Sequence, residues 1–400
     1  MNTELKSKKQ ITFMTLLFTI TYMISYITRI NYGAIISEME SATRFSRSLL
    51  SMALTGSFVT YGAGQIVSGF CGDKFPPKRL VTYGLVATVV MNLVIPICRN
   101  PWQMTAVWCI NGFAQSFMWP PIVKLMTALF SDEEYQKATV RVSWGSSMGT
   151  IAVYLMAPVI ISLSGWRAVF VFSALCGIVM IILWNKFCIN VPIEQKKSQE
   201  RKSKGVSLFS PLMLCVMLGI ILQGMLRDGV TTWMPTYISE TYNMSNIISI
   251  LTGVVLPIFS ILCFQAASTL YRTKFTNPMM CAGVIFGVGA CASLALICVT
   301  GHSASMSVMF SALLTGCMHG VNLILICMVP TFFKKNGNVS TAAGVLNSCT
   351  YIGSAISTYG IALVSENLGW GFTLKSWFAI ALLGTAVCLV CVRLWNRKFE

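Results

Sequence analysis

Charged residues are scarce in this sequence. They make up 10% of its 400 residues, whereas soluble proteins carry roughly 25%, and the mean hydropathy is +0.70. Apolar runs of about 18 residues or more recur from end to end, and each could cross the ~30 Å hydrocarbon core of a bilayer as a helix. These runs are too long and too evenly apolar for the strands of a membrane β-barrel. The composition excludes a soluble domain and predicts an all-α polytopic membrane protein.

Histidine and paired cysteines are also lacking. The chain has 2 His, and its 15 Cys stand singly in apolar segments without a CxxC spacing. Cysteines scattered in this way behave as small core residues rather than as disulfides or metal ligands. The sequence shows no Ser/His/Asp set, no metal-ligand spacing and no phosphate-binding loop. We therefore predict no cofactor, no metal site and no enzymatic activity.

Only one polar segment is long enough to divide the chain. It contains KKSQERKSK (residues 196–204) and separates six predicted spans from six. The twelve spans are placed near 11–36, 49–70, 80–98, 102–130, 137–162, 167–189, 208–238, 247–270, 278–299, 303–332, 340–364 and 371–394. This spacing predicts a six-helix bundle at 1–190, a basic cytoplasmic linker at 191–207 and a second bundle at 208–400, as in transporters with two parallel halves.

Most of the 29 Lys and Arg residues fall on one side of these spans, which the positive-inside rule identifies as the cytoplasm. Both termini are then cytoplasmic, and the first span is predicted to remain as a signal anchor because no cleavage pattern follows it. The net charge of +16 reflects this topology and an attraction to anionic headgroups of the lipid bilayer, not nucleic-acid binding. We expect a functional monomer in the cell inner (cytoplasmic) membrane.

Four basic residues fall within the predicted spans, accompanied by one acid, Asp228. Charged side chains in a bilayer usually line a bundle interior or a cavity. Lys124 and Arg141 lie near the cytoplasmic face, where a side chain can either snorkel to the headgroups or line a pore. The other two, Arg29 and Arg227, lie deeper. One acid cannot neutralise four bases, so either some of them snorkel or an anion completes the set.

Arg29 and Arg227 lie at matching depth in the first predicted helix of each half, within YITRINY (residues 26–32) and MLRDG (residues 225–229). In transporters of two related halves, these helices border the central cavity. Two snorkelling arginines at one depth would be a coincidence, so we predict that both bind one ligand. The planar guanidinium fork suits a carboxylate or a tetrahedral phosphate. Two cations around an empty site would resist closure, which favours obligatory exchange of one anion for another.

The segment GFCGDKFPPKR (residues 69–79), between the second and third spans, resembles the signature loop of the major facilitator superfamily. Within that superfamily, the chain is similar to the organophosphate:phosphate antiporter family. This second resemblance rests on YITRINY, MLRDG, WMPTY (residues 233–237) and WPPIVK (residues 119–124), and it spans nearly the whole chain. The signature loop implies a cytoplasmic gate formed by Gly69, Asp73, Lys74, Lys78 and Arg79.

The resemblance implies a major facilitator fold that exchanges a sugar or glycerol phosphate for inorganic phosphate by alternating access. It implies that Arg29 and Arg227 bind the phosphoryl group. The other residues expected at the substrate are Tyr22, Tyr26, Tyr61, Gln65, Trp119, Lys124, Trp144, His319 and Tyr351.

Three positions depart from the family pattern. Gln65 stands where many members have a lysine, Met148 stands where the bacterial members have a histidine, and His319 stands where a tyrosine is common. The substrate could therefore be a different phosphate ester, a phosphonate or a carboxylate.

Two other functions stay open. A proton- or cation-coupled symporter of a sugar acid or another carboxylate would need a titratable acid in its path, and Asp228 is the coupling candidate. A transporter-like sensor would bind the ligand without moving it. In each case the predicted partner is a small organic anion.

Overall fold

The computed structural model describes residues 5, 7–45, 47–191, 210–244, 252–336 and 339–399, and these residues form helices and no strand. Beyond Val191, the predicted linker at 191–207 lies outside these residues, as do the starts of the spans predicted at 208 and 247. The helices are α1 (Lys8–Ala34), α2 (Ile36–Thr43), α3 (Arg47–Lys74), α4 (Pro77–Val94), α5 (Pro101–Gln115), α6 (Trp119–Leu129), α7 (Asp132–Ser164), α8 (Trp166–Phe187), α9 (Pro211–Tyr242), α10 (Val255–Thr273), α11 (Pro278–Val299), α12 (Ala304–Asn322) and α13 (Val339–Phe399).

The prediction of a many-spanning all-α protein is confirmed. Within the described ranges, nine helices are long and apolar enough to cross a membrane, judged by length and composition. The span predicted over 102–130 is interrupted, because α5 ends at Gln115 and α6 begins at Trp119. Pro120 and Pro121 lack the N–H groups that a continuous helix needs there. The last two predicted spans correspond to the two parts of α13, which are separated by the non-helical residue Gly369, where φ is 76°.

The chain forms two compact units. The first comprises Met1–Gly205 and Pro330–Ser348, and the second comprises Val206–Val329 and Cys349–Glu400. Helix α13 therefore begins in the first unit and continues in the second. This division assigns Pro330–Ser348 to the first unit, whereas the predicted second bundle at 208–400 includes it.

In the first unit, α1 packs against α7, α3 against α5, and α4 against α8. The contact between α1 and α7 depends on two glycines one turn apart. A Cβ added at Gly145 would lie 2.5 Å from the carbonyl oxygen of Thr19, and one added at Gly149 would lie 2.5 Å from that of Met23. Small residues at this spacing let helix backbones approach each other closely in membranes.

In the second unit, α12 packs against α9, α10 and α11. Helices α9 and α13 also meet closely, because a Cβ added at Gly353 would lie 2.9 Å from the backbone nitrogen of Met225. A Cβ added at Gly229 would lie 3.2 Å from the Cβ of Ser357. This close approach brings the residue after Gly353, Ser354, to the polar side chains of α9.

Candidate anion-binding site

Arg29 of α1 lies between two aromatic rings in the first unit. Its Cζ is 4.3 Å from the ring centroid of Tyr26 and 4.7 Å from that of Tyr61 on α3. The negative face of an aromatic ring attracts a cation at these distances, and the attraction is stronger where water is displaced. The half-buried guanidinium is thus held in one place by side chains from two helices.

Two further aromatic residues extend this arrangement. The ring centroid of Tyr22 is 5.2 Å from that of Tyr26 and 5.1 Å from that of Trp119 on α6. Tyr22, Tyr26 and Arg29 occupy positions i, i+4 and i+7, which share one helix face. We call Arg29, Tyr22, Tyr26, Tyr61 and Trp119 the arginine–aromatic cluster. All five were predicted to be site residues, and the structure brings them together.

The indole groups in this region include two unsatisfied donors. Among the described residues, the Nε1 atoms of Trp119 and Trp144 are buried and have no hydrogen-bond partner. A buried N–H without an acceptor is costly. Trp144 precedes Gly145, where α7 meets α1. Both tryptophans were predicted to line the cavity, and an anionic oxygen is the type of acceptor that would satisfy them.

A buried amide network holds the backbone next to Arg29. The carbonyl oxygen of Thr28 accepts hydrogen bonds from the Nδ2 atoms of Asn92 (3.0 Å) and Asn111 (3.2 Å). The hydroxyl of Thr28 accepts one from Nε2 of Gln115 at 2.8 Å, and Asn31 donates to Asn92 Oδ1 at 2.8 Å. These side chains are at most 1% exposed, so α4 and α5 fix this turn of α1.

Sequence reasoning missed Asn92, Asn111 and Gln115 as residues of the site. The available signal was the presence of uncharged amide side chains inside apolar spans, where polar groups need partners. Asn31, within YITRINY, was a second signal. Neither could show that the partner is the backbone of Thr28.

In the second unit, Arg227 forms a two-point ion pair with the adjacent Asp228. The distances are 2.7 Å from Nε to Oδ1 and 2.8 Å from the other nitrogen, Nη2, to Oδ2. Ser354 of α13 donates a hydrogen bond to the same carboxylate. The side chains of Arg227 and Asp228 are 10% and 21% exposed. Arg227 therefore has an acid partner on its own helix, and Asp228 lies at the position predicted for a coupling group.

His319 and Tyr351 also belong to the second unit. The imidazole ring of His319 on α12 lies edge-on to Phe264, with centroids 5.4 Å apart. Tyr351, on α13, is buried with 7% of its surface exposed. The role of His319 as a substrate residue stays a prediction.

Gln65 has a structural partner that the sequence did not predict. Its Nε2 donates a hydrogen bond of 3.3 Å to the carbonyl oxygen of Ser116. In a continuous helix that carbonyl would accept from residue 120, but Pro120 has no N–H. Gln65 thereby supplies the donor that α6 cannot, while its own Oε1 is buried without a partner among the described residues.

Lys124 lies with the predicted gate motif, not with the arginine–aromatic cluster. Its Nζ is 3.3 Å from Oδ1 of Asp73. The carboxylate of Asp73 also accepts hydrogen bonds from the backbone nitrogens of Ser340 (3.2 Å) and Thr341 (2.8 Å), at the first turn of α13. An acidic group at a helix N-terminus satisfies free N–H groups and complements the helix dipole.

Of the other residues of the gate motif, two contact neighbouring helices and two are exposed. A Cβ added at Gly69 would lie 2.8 Å from the carbonyl oxygen of Ser340, so only glycine fits there without a shift. Lys78 donates to the carbonyl oxygens of Asn185 (2.9 Å) and Cys188 (2.7 Å) at the end of α8. Lys74 and Arg79 are exposed.

Helix α7 carries two of the positions that sequence reasoning left open. Arg141 is exposed, and Met148 is 47% exposed. Neither belongs to the arginine–aromatic cluster.

Comparison with known proteins identifies the family. The model described as Major Facilitator Superfamily matches residues 18–358. The chain belongs to the Major Facilitator Superfamily. Its members are membrane transporters rather than enzymes, so the predictions of the fold, of a multi-pass membrane protein and of a non-enzymatic function are confirmed.

Among relatives in this superfamily, the chain is 22% identical to the membrane sensor protein UhpC of Salmonella typhimurium, over 92% of this chain and 87% of that protein. It is also 22% identical to a probable hexose phosphate transport protein of Chlamydia muridarum, over 94% of this chain and 89% of that protein. The solved structure of the proton:xylose symporter XylE superposes with a TM-score of 0.76 at 13% identity, covering 98% of this chain and 96% of that one. This structural likeness shows the fold alone.

Proposed function

We propose that this major facilitator transporter moves an organic phosphate across the membrane by alternating access, and that inorganic phosphate exchanges through the same site. The organic phosphate is a sugar or glycerol phosphate. The observation that carries the proposal is the placement of Arg29 between Tyr26 and Tyr61. The name of the Chlamydia muridarum relative supports the same substrate class.

The predicted site residues suit the two parts of such a ligand. Arg29 and Arg227 would bind the phosphoryl oxygens, since guanidinium groups offer a planar pair of donors to tetrahedral anions. The indole N–H groups of Trp119 and Trp144 would donate to further oxygens. Tyr22 and Tyr61 would pack against the carbon skeleton, because aromatic rings combine an apolar face with a polar tip.

Flux in a purified system tests the proposal. The protein is reconstituted into vesicles loaded with inorganic phosphate or, as a matched control, with sulfate, and uptake of labelled glucose 6-phosphate, glycerol 3-phosphate, inorganic phosphate and glucuronate is followed. We expect faster uptake of the phosphate compounds into phosphate-loaded vesicles. Preferential uptake of glucuronate, driven by a pH gradient and independent of internal phosphate, would instead support the carboxylate symporter with Asp228 as its coupling group.

A sensor is the second candidate, and the name of the Salmonella typhimurium relative favours it. A sensor must bind the ligand but need not release it on the other side of the membrane. Thermal stabilisation of the purified protein by glucose 6-phosphate, combined with no flux of any panel compound, would replace transport by sensing.

The topology is proposed on the charge distribution. Both termini and the gate motif are assigned to the cytoplasm because most basic residues lie on that side of the predicted spans. The contacts of Asp73 with Lys124, Ser340 and Thr341 are then contacts at the cytoplasmic end. Single cysteines are placed at residue 7, on the predicted cytoplasmic side, or at residue 100, on the predicted outer side. A membrane-impermeant thiol reagent added outside the cell should label residue 100. Labelling of residue 7 instead would show the inverted orientation.

We expect Asn92→Leu to raise the KM for inorganic phosphate about threefold or more. Leucine removes a donor to the Thr28 carbonyl and the acceptor for Asn31, so the turn that carries Arg29 loses its fixed position. The measurement is the rate of phosphate exchange as a function of phosphate concentration, together with the melting temperature.

The matched control is Asn185→Leu on α8. Asn185 is exposed, and its Oδ1 accepts a hydrogen bond from Thr82 at 3.1 Å. Its replacement should leave the KM unchanged. If Asn92→Leu lowers the melting temperature but leaves the KM equal to that of the control, the network stabilises the bundle without positioning Arg29.

A further inference from the structure

We propose that Asp228 is a tethered counter-anion for Arg227, which pairs with the guanidinium when no substrate is bound and thereby allows the empty transporter to reorient. The proposal rests on the proposed function, because it concerns the return step of a carrier that binds anions. It goes further in one respect: it predicts net transport in addition to exchange.

The geometry is that of an internal substitute for a bound anion. Asp228 meets Arg227 with both carboxylate oxygens, at 2.7 and 2.8 Å. An incoming carboxylate or phosphate would use this same two-point contact. Ser354 donates to the carboxylate from α13, so the acid is held from a second helix as well. A phosphate that binds to Arg227 must therefore displace Asp228 or share the guanidinium with it.

The Arg227–Asp228 pair affects the energy of the transporter when no substrate is bound. Alternating access requires that the charged groups of the site pass through a closed state with little water around them, and an unpaired buried cation is strongly unfavourable. With Asp228 in place, the Arg227–Asp228 pair is neutral and does not oppose this closure. Arg29 has the rings of Tyr26 and Tyr61 against its guanidinium. An empty transporter of this kind can return without a counter-substrate, whereas removal of the acid would make return depend on a bound anion.

Comparing net efflux with exchange tests the inference. Vesicles that contain the protein are loaded with labelled inorganic phosphate, and the membrane potential is clamped with potassium and valinomycin. One batch is diluted into phosphate-free buffer to measure net efflux and into phosphate buffer to measure exchange. The assay is run at a pH of about 7.5, where a histidine with an ordinary pKa is mostly neutral, so that protonation of an imidazole does not contribute to the comparison. The quantity of interest is the ratio of the net efflux rate to the exchange rate.

The wild-type protein should show both modes. Asp228→Asn preserves the shape of the side chain and removes its charge, and we expect the ratio to fall at least about tenfold. Asp228→Glu keeps the carboxylate and should recover most of the ratio. Glu240→Gln is the matched control, because Glu240 is an acid on the same helix whose Oε2 accepts a hydrogen bond from Trp370 at 2.7 Å; its ratio should equal that of the wild type.

Three outcomes would overturn the inference. One is a wild-type protein that exchanges phosphate without net efflux, which would leave the proposed function standing. Another is an unchanged ratio in Asp228→Asn. If that variant is inactive in both modes, Asp228→Glu is compared in its place, and a ratio about tenfold below that of the wild type there has the same meaning. Absence of both modes for inorganic phosphate and for glucose 6-phosphate in the wild type would remove the proposed function and this inference together.

Discussion

Replacement of Arg29 by lysine is expected to lower kcat/KM for glucose 6-phosphate uptake by about 100-fold. Lysine keeps the positive charge but loses the planar fork that lies 4.3 and 4.7 Å from the rings of Tyr26 and Tyr61. A phosphate would then lose a two-point contact, and the cation would lose its fixed position between the rings. The measurement is the initial rate of uptake into phosphate-loaded vesicles that contain equal amounts of folded protein.

Arg141→Lys provides the matched control. Arg141 lies on α7 in the same unit and is exposed, so the same chemical change there should alter kcat/KM by no more than about twofold. An Arg29→Lys protein that transports as well as the Arg141→Lys protein would show that the arginine–aromatic cluster does not bind the phosphoryl group.

Part of the arginine–aromatic cluster could be predicted from the sequence. The spacing of Tyr22, Tyr26 and Arg29 fixes them on one face of α1, because helical residues four and seven positions apart lie above one another. Tyr61 and Trp119 come from α3 and α6, and local periodicity cannot tell which faces of separate helices meet. Their inclusion depended on the resemblance of the motifs around them to a family pattern.

Hydrogen bonds from side chains to backbone atoms could not be predicted from the sequence. Gln65 was predicted as a ligand residue from its position, yet its amide nitrogen serves the Ser116 carbonyl that Pro120 leaves without a donor. The requirement for a donor could be inferred from the proline. The choice of Gln65 to provide it depends on how α3 packs against the break between α5 and α6, which no local pattern specifies.

The ion pair of Arg227 and Asp228 illustrates a different limit. Adjacent helical residues point in directions about 100° apart and do not usually face each other. The side chains of these two residues nevertheless meet, and the carboxylate is also held by Ser354, 126 positions further along the chain. Sequence reasoning identified both charges but could not assign Asp228 its hydroxyl partner.

The second large effect is expected from a single methyl group at the contact between α1 and α7. In Gly149→Ala, the added Cβ would lie 2.5 Å from the carbonyl oxygen of Met23 and 2.8 Å from the Cβ of Tyr26. A backbone carbonyl cannot move aside as a flexible side chain can, so α1 and α7 must separate. We expect a loss of about 3 kcal/mol, seen as a fall in the melting temperature of the purified protein of about 5 °C or more.

Gly33→Ala on α1 makes the same chemical change where space is available. Its Cβ would lie 3.5 Å from the Cδ1 and Cδ2 atoms of Leu54, which is ordinary van der Waals contact, and alanine favours a helix over glycine by about 1 kcal/mol. The melting temperature should therefore stay the same or rise. Because the Cβ added at Gly149 would also meet Tyr26, this replacement should raise the KM for phosphate, whereas the Gly33 variant should not. Equal melting temperatures for the two variants would contradict the close approach of α1 and α7.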